Sequence, residues 1–181
     1  MIVFISGGAG SGKLRLAEAR ARATGKPFQV IATAGHSALG ERFEVPLDSP
    51  VELAKAVAAT PAGQTIIFHS LTQWTRQLLV SDSASDTPGG IEREGERQLK
   101  KVLEDARARR LHLIIVSSDL NEAPLAADPG AWRFVTFLQR LHRLLAHEAD
   151  SVIEAVAGCA VEWKPSALDP HEPPGPWPFK R

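Results

Sequence analysis

Met1-Ile-Val-Phe-Ile-Ser-Gly-Gly-Ala-Gly-Ser-Gly-Lys13 is the stretch that decides the fold of this chain. It begins as a short apolar run typical of a buried strand and continues as a glycine-rich turn closed by a lysine. The spacing of Gly7, Gly12 and Lys13 matches G-x-x-x-x-G-K, the pattern of a phosphate-binding loop. In such a loop the backbone N–H groups surround a phosphate and the lysine ammonium reaches its outer oxygens. The stretch therefore predicts an anion-binding loop between a strand and a helix.

The surroundings of this loop favour phosphate binding over a chance glycine-rich turn. Glycine is needed because a side chain would collide with the anion or forbid the backbone angles. A helix predicted from Leu14 to Thr24 follows directly, and the positive end of its dipole would point at the same anion. One position departs from the pattern, because Leu14 follows the lysine where a Ser or Thr hydroxyl usually binds Mg²⁺. Binding a phosphate and transferring it are therefore separate questions for this chain.

Composition bounds the class of protein. The 181 residues suffice for one domain with a full core, and contents of 44% hydrophobic and 23% charged residues are typical of soluble globular proteins. The 21 basic and 21 acidic residues cancel, so no nucleic-acid partner is expected. We expect no leader peptide, because the N-terminus lacks a basic region and a cleavage site, and no apolar run is long enough to span a membrane. The single Cys159 excludes an intramolecular disulfide. We therefore expect a cytoplasmic protein.

Short apolar runs alternate with amphipathic segments along the rest of the chain. Runs rich in β-branched residues predict further strands at Phe28–Thr33, Thr65–His69 and His112–Ser117. Apolar side chains at helical spacing predict helices at Leu71–Val80, Ile91–Arg110 and Pro129–Ala149. A capping serine, a proline and a glutamate in Ser49-Pro50-Val51-Glu52 predict another helix, which runs to about Ala59.

Two features mark the carboxyl-terminal part of the chain. The segment from Ser151 to Trp163, interrupted by Gly158, predicts two strands joined by a tight turn, an antiparallel hairpin at the edge of a sheet. Six prolines from Pro165 to Pro178 exclude a helix or a central strand and predict a tail that lies on the surface. We therefore assign residues 1–164 to a single nucleotide-binding domain and residues 165–181 to a proline-rich tail.

The alternation of strands and helices predicts an α/β fold with a mostly parallel sheet flanked by helices. In such a sheet, ligands bind outside the carboxyl ends of the strands. We expect one rim of the sheet to carry four segments that follow strands, namely Gly7–Lys13, Thr33–Gly35, His69–Ser70 and Ser117–Asp119.

Several stretches together resemble the adenosylcobinamide kinase/adenosylcobinamide-phosphate guanylyltransferase family of cobalamin biosynthesis in their order and spacing. They are Ile5-Ser-Gly-Gly-Ala-Gly-Ser-Gly-Lys13, Val30-Ile-Ala-Thr33, Phe68-His-Ser-Leu-Thr-Gln-Trp74, Ile115-Val-Ser-Ser-Asp-Leu120 and Ala149-Asp-Ser-Val152. The resemblance runs from Met1 to about Lys164 and leaves the proline-rich tail outside it.

The resemblance implies a P-loop NTPase-like fold, typically assembled as a trimer, that binds GTP or ATP with Mg²⁺. Members of the family phosphorylate adenosylcobinamide and then transfer GMP from GTP to the product through a histidine that carries the nucleotide covalently. No base-reading motif in this sequence distinguishes GTP from ATP. In phosphoryl transfer, Lys13 would be the catalytic residue, because its charge would stabilise the transferred group. The residues implied in nucleotide binding are Gly7, Gly8, Ala9, Gly10, Ser11, Gly12, Lys13, Leu14, Thr33, Ala34, Gly35, Glu44 and His69.

The chain departs from the family pattern at positions that serve catalysis. Leu14 replaces the hydroxyl residue and His69 replaces an Asp or Glu, so the usual protein ligands of Mg²⁺ are not matched and no metal ligand is assigned. Ser118-Asp119 replaces an Asn-Glu pair. The segment Ala34–Phe43 is too short for the family helix that bears the guanylylated histidine, and His36 is the only imidazole in it. His36 is therefore either a substitute nucleophile or an ordinary loop histidine.

These departures leave three functions open. The chain is a transferase that phosphorylates adenosylcobinamide, a nucleotide-binding regulatory or structural protein without turnover, or another small-molecule kinase. His69 either faces the ligand or is a hydrogen-bonded structural histidine. His142 shares a helix with Arg140 and Arg143, so we expect it on a solvated face. The two arginines lie on one helical face, where they are either solvated or clamp an anionic substrate or a neighbouring subunit.

Overall fold

The computed structural model describes residues 1–33, 44–47, 49–81, 89–120 and 128–165, so the tail beyond residue 165 lies outside the described residues. These residues form seven strands and five helices. In chain order they are β1 (Ile2–Gly7), α1 (Lys13–Ala23), β2 (Phe28–Thr33), β3 (Glu44–Leu47), α2 (Glu52–Ala59), β4 (Thr65–His69), α3 (Leu71–Ser81), α4 (Gly90–Ala108), β5 (His112–Val116), α5 (Pro129–Glu148), β6 (Ser151–Val156) and β7 (Cys159–Lys164). None of the described helices has the length and apolar character needed to cross a bilayer.

All seven described strands belong to one sheet of order β3-β2-β4-β5-β1-β6-β7. The first six run parallel to their neighbours, and β7 pairs antiparallel with β6. The predicted fold class, a mostly parallel sheet flanked by helices with a carboxyl-terminal antiparallel hairpin, is confirmed. Because β1 lies inside the sheet between β5 and β6, the loop that follows it opens onto the middle of the carboxyl-terminal rim.

The two faces of the sheet explain why β1 is apolar without alternation. Ile2 and Phe4 are buried against the cluster that α2, α3, α4 and α5 form on one face. Val3 and Ile5 are buried against α1 on the other face. A strand covered on both faces requires apolar side chains at every position, which is the pattern of the parallel strands in α/β proteins.

β3 is absent from the elements expected from sequence. Its four residues, Glu44-Val-Pro-Leu47, are too few for a clear pattern and include a proline, which cannot donate a hydrogen bond to a neighbouring strand. The strand is tolerated because it pairs with β2 alone and forms one edge of the described sheet. At that edge the missing N–H of Pro46 interrupts no central ladder.

The start of α2 differs in detail from the predicted capping motif. The helix begins at Glu52, Val51 occupies the N-cap position and no side chain caps the helix. The Glu52 N–H donates to the Ser49 carbonyl at 3.2 Å, and the Ser49 N–H donates to the Glu52 carboxylate at 3.4 Å. The glutamate half of the motif therefore forms, while the expected cap by the serine hydroxyl does not.

A two-residue turn joins β6 and β7, as the predicted hairpin requires. Val156 pairs with Cys159, which leaves Ala157 and Gly158 at the turn. Both have positive φ, 48° and 85°, which is the signature of a type I′ turn. This turn lies at the same rim as the end of β1, because β6 runs parallel to β1.

Candidate nucleotide-binding site

The loop between β1 and α1 is folded in a way that its glycines explain. A Cβ on Gly7 would lie 2.4 Å from the Ala155 carbonyl oxygen and 2.6 Å from Ser11 Oγ, so only glycine fits between β1 and β6. Gly10 and Gly12 have φ of 70° and 87°, in the left-handed region that other residues rarely adopt. Gly7, Gly10 and Gly12 therefore each meet a steric requirement of their own.

The backbone N–H groups of this loop form an open row of donors. In the described part of the chain, the Ser11 N–H reaches the Gly8 carbonyl at 3.3 Å and the Leu16 N–H reaches Gly12 at 3.0 Å. Six other amides of the loop and the helix start donate to no described group; they belong to Gly8, Ala9, Gly10, Gly12, Lys13 and Leu14. Successive unpaired amides at a helix N-terminus form an anion-binding concavity.

Lys13 lies over this row of amides. Its Nζ donates to the Gly8 carbonyl oxygen at 2.9 Å, so the ammonium is folded back across the loop. Partial burial lowers the pKa of Lys13 from its ordinary value. Within the described residues no carboxylate pairs with this ammonium. Its charge is therefore held by a neutral carbonyl and is available to an anion.

Two neighbouring segments hold the loop in place. The Gly158 N–H, in the turn between β6 and β7, donates to the Ser11 carbonyl at 3.0 Å. On the other side, the Asp119 N–H donates to the Gly7 carbonyl at 3.0 Å. The sequence marked Gly158 as a turn residue, but nothing in it shows that the turn supports the phosphate loop.

Leu14 occupies the position of the usual Mg²⁺-binding hydroxyl and packs instead against the apolar cluster beneath α1. His69, at the end of β4, offers a nitrogen rather than a carboxylate, and hard divalent cations prefer oxygen ligands. No group of three or more His, Cys, Asp or Glu side chains suited to a metal exists among the described residues. Leu14 and His69 therefore supply no side-chain oxygen ligand for a Mg²⁺ beside the loop.

The strand order decides which predicted rim residues lie near the loop. With about 4.8 Å between neighbouring strands, the ends of β5, β4 and β2 lie about 5, 10 and 14 Å from the end of β1. Ser117, His69 and Thr33 follow that order. Glu44 does not share this rim, because the register places it beside Val30, about three residues before the end of β2. The structure therefore does not bring Glu44 to the loop.

Three predicted positions lie outside the described residues, namely Ala34, Gly35 and His36. His69 itself is half-buried, and its Nδ1 lies 3.0 Å from Ser70 Oγ. Two residues before it, Ile67 packs against the cluster on the α1 face. Because alternate strand residues share a face, His69 lies on the same face as α1.

Ser70 is a strained residue at the start of α3. Its φ of 92° is rare for a residue other than glycine. Its carbonyl accepts the N–H groups of Gln73 and Trp74, so the unusual angle turns the chain directly from β4 into the helix. Such strain is often located beside functional sites, and Ser70 directly follows His69 at the rim.

The environment of His142 contradicts the expected solvated face. Its Nε2 lies 2.7 Å from the hydroxyl of the buried Ser117, and its ring packs against Phe4 with 5.2 Å between centroids. Arg140 is also engaged within the chain, in an ion pair of 2.7 Å with Glu96 on α4. The prediction failed for His142 because the spacing of its charged neighbours does not reveal which side of α5 faces the rim.

Comparison with known proteins identifies the family to which this chain is similar. Residues 40–163 match the family described as cobinamide kinase/cobinamide phosphate guanyltransferase. The chain is also 30% identical, over 178 residues, to the bifunctional adenosylcobalamin biosynthesis protein CobP of Pseudomonas aeruginosa. That alignment covers 91% of this chain and 98% of the relative, so it includes nearly the whole of both proteins.

Solved structures show the same fold at low sequence identity. A Pyrococcus horikoshii OT3 protein, PH0250, superposes with a TM-score of 0.54 at 11% identity, covering 93% of this chain and 87% of that one. The RadB recombinase superposes with a TM-score of 0.54 at 14% identity, covering 92% and 84%. These likenesses show a P-loop NTPase-like fold and nothing beyond it.

Proposed function

The chain belongs to the cobinamide kinase/cobinamide phosphate guanyltransferase family, and from that premise we propose that it phosphorylates adenosylcobinamide with GTP or ATP. The nucleotide would bind through its phosphates to the loop Gly7–Lys13. The observation that carries this proposal is the row of unpaired loop amides beneath an ammonium that no described carboxylate neutralises.

Phosphate binding exchanges one set of contacts for a stronger one. Lys13 gives up a neutral carbonyl acceptor and gains charged phosphate oxygens, and hydrogen bonds to charged groups are about twice as strong as those between neutral groups. The loop amides and the dipole of α1 act on the same oxygens. As charge develops on the transferred phosphoryl group, Lys13 and these fixed donors stabilise it without rearranging.

Mg²⁺ normally accompanies such nucleotides and neutralises charge on their phosphates. Leu14 and His69 do not supply the usual protein ligands of Mg²⁺, so phosphate binding is assigned to Lys13 and the loop amides. His69 would face the bound ligand from the α1 side of the sheet. By the family resemblance, Thr33, Ala34 and Gly35 would contact the nucleotide. Thr33 ends β2, whereas Ala34 and Gly35 lie outside the described residues.

A second function, nucleotide binding without turnover, is favoured by one specific observation. The side chain of Leu14 is not merely a missing hydroxyl but part of the apolar packing beneath α1. Restoring a polar group there would remove core contacts, which is consistent with a chain that has stopped depending on Mg²⁺ at this position. The guanylyl-transfer half of the family reaction depends on the segment that contains His36, which lies outside the described residues.

A nucleotide-consumption assay separates these functions. The purified protein is incubated with Mg²⁺ and GTP or ATP, with and without cobinamide, and the released or transferred phosphate is measured. Turnover that requires cobinamide supports the proposed kinase. Tight nucleotide binding without turnover selects the non-catalytic binder, and turnover stimulated only by another acceptor selects a different small-molecule kinase.

A further inference from the structure

A partly buried network of hydrogen bonds connects α5, α3 and the segment that follows β5, next to the phosphate loop. His142 Nε2 lies 2.7 Å from Ser117 Oγ, which in turn lies 3.2 Å from Thr72 Oγ1. Thr72 Oγ1 accepts the Ser118 N–H at 3.0 Å. Three elements that are far apart in sequence therefore meet through side chains at the carboxyl end of β5.

At Ser118, this hydrogen-bond network is connected to the phosphate loop through the backbone. Ser118 is followed by Asp119, whose N–H donates to the Gly7 carbonyl at 3.0 Å. The Ser117 N–H donates to the Ile5 carbonyl at 3.0 Å, so both ends of the segment 117–119 are bonded to β1. Only the Ser118 amide, between them, depends on a side chain for its partner, and that partner is Thr72.

The imidazole of His142 is held neutral. Burial lowers its pKa to about 4, and the nearby Asp119 carboxylate offsets this only in part. A neutral imidazole has one nitrogen that donates and one that accepts, so either tautomer can complete the bond to Ser117. The ring also packs against Phe4, with 5.2 Å between the ring centroids.

We propose that His142, Ser117 and Thr72 form a positioning relay that holds the backbone of residues 117–119 against the phosphate loop during phosphoryl transfer. The hydrogen bonds described for the three side chains do not reach the loop directly, and the relay acts on it through the Asp119 amide. This inference rests on the proposed kinase function for its catalytic readout, but the hydrogen-bond connection itself is testable without turnover.

A merely structural role for the same contacts predicts a different outcome. Buried polar groups need partners, so breaking these hydrogen bonds would lower stability in either case. A relay predicts in addition that turnover falls in the folded protein at temperatures well below unfolding. A misplacement of reacting groups by about 1 Å reduces rates by up to a hundredfold, so we expect kcat to fall about tenfold or more.

The chain offers matched controls for both ends of the relay. Thr72→Val removes the relay hydroxyl, whereas Thr75→Val removes a buried hydroxyl on the same helix that bonds only to the Leu71 carbonyl at 2.8 Å. His142→Phe keeps a ring beside Phe4 and removes both nitrogens. His147→Phe makes the same change at an exposed position of α5.

The experiment measures kcat, KM for the nucleotide, and amide hydrogen exchange at Ser118. In Thr72→Val and His142→Phe we expect kcat to fall about tenfold, KM to change less than threefold, and the Ser118 amide to exchange at least tenfold faster. The kcat of the Thr72→Val/His142→Phe double variant should be no lower than that of the slower single variant, because both changes break the same hydrogen-bond network. Thr75→Val and His147→Phe should retain the wild-type values.

Two results would overturn the relay. One is unchanged Ser118 exchange in both relay variants, and the other is a loss of kcat in Thr75→Val equal to that in Thr72→Val. If the wild-type protein shows no turnover, the proposed kinase function fails, and the Ser118 exchange rates still decide whether the connection exists.

Discussion

Replacing Gly7 by alanine is expected to disrupt the junction of β1 and β6. The added Cβ would lie 2.4 Å from the Ala155 carbonyl oxygen, whereas ordinary contacts begin at 3.4 Å. The clash therefore amounts to about 1.0 Å. Since the atom that it meets belongs to the backbone of a paired strand, it cannot be relieved by rotating a side chain, and the two strands must move apart.

The expected loss follows from this geometry. Overpacking in a well-packed interior costs about 1–3 kcal/mol, and a clash with backbone belongs near the upper end of that range. With a urea m-value of about 2 kcal/mol/M, the unfolding midpoint should fall by roughly 1 M. Gly8→Ala is the matched control, because a Cβ there meets nothing within 4 Å and should change stability by less than about 0.5 kcal/mol.

Urea unfolding followed by circular dichroism measures both variants against the wild type. The steric account of the loop is refuted if Gly7→Ala and Gly8→Ala unfold at the same urea concentration. It is equally refuted if Gly8→Ala is the less stable of the two.

Two further predictions concern the core. Burial lowers the pKa of His112 and of His142 from 6.5 to about 4, so the unfolded chain binds more protons between these values. The free energy of unfolding should therefore fall as pH drops from 6.5 towards 4, by at most about 1.4 kcal/mol per pH unit for each histidine. In urea titrations at pH 7, 6 and 5, His142→Phe should reduce this slope. An unchanged slope would contradict the lowered pKa of His142. The buried Trp74 Nε1 donates to the Pro50 carbonyl at 3.0 Å, so Trp74→Phe should lower stability by about 1–3 kcal/mol in thermal unfolding, whereas Trp132→Phe, at a half-exposed position, should change it by less than about 0.5 kcal/mol. Equal losses in the two tryptophan variants would contradict a role for the buried hydrogen bond.

Elements with strong local patterns could be predicted from sequence. The runs at 28–33 and 65–69 are apolar because both faces of the sheet are covered, and they match the observed strands β2 and β4. The Gly158 turn was equally clear, since a two-residue type I′ turn needs residues that accept positive φ. β3 could not be predicted from the sequence, because a strand of four residues with a proline has too little pattern of its own and depends on β2 for its pairing.

The candidate site shows the same division between local and tertiary information. The phosphate loop is a contiguous motif, so its residues were visible in the sequence. Contacts made across the fold were not, and they include the support of Ser11 by the Gly158 turn and the bond between His142 and Ser117. The position of Glu44 depends on the register of β3, which no feature of the sequence reveals.

The loop between β1 and α1 is proposed to bind the phosphates of a nucleotide, with Lys13 supplying the positive charge. Isothermal titration of GTP and of ATP into the wild type, Lys13→Ala and the control Lys55→Ala, an exposed lysine on α2, tests it most directly. We predict that Lys13→Ala weakens binding at least tenfold, about 1.4 kcal/mol or more, because a charge-assisted contact to phosphate is lost, and that Lys55→Ala binds like the wild type. Equal affinities in all three proteins would contradict the claim.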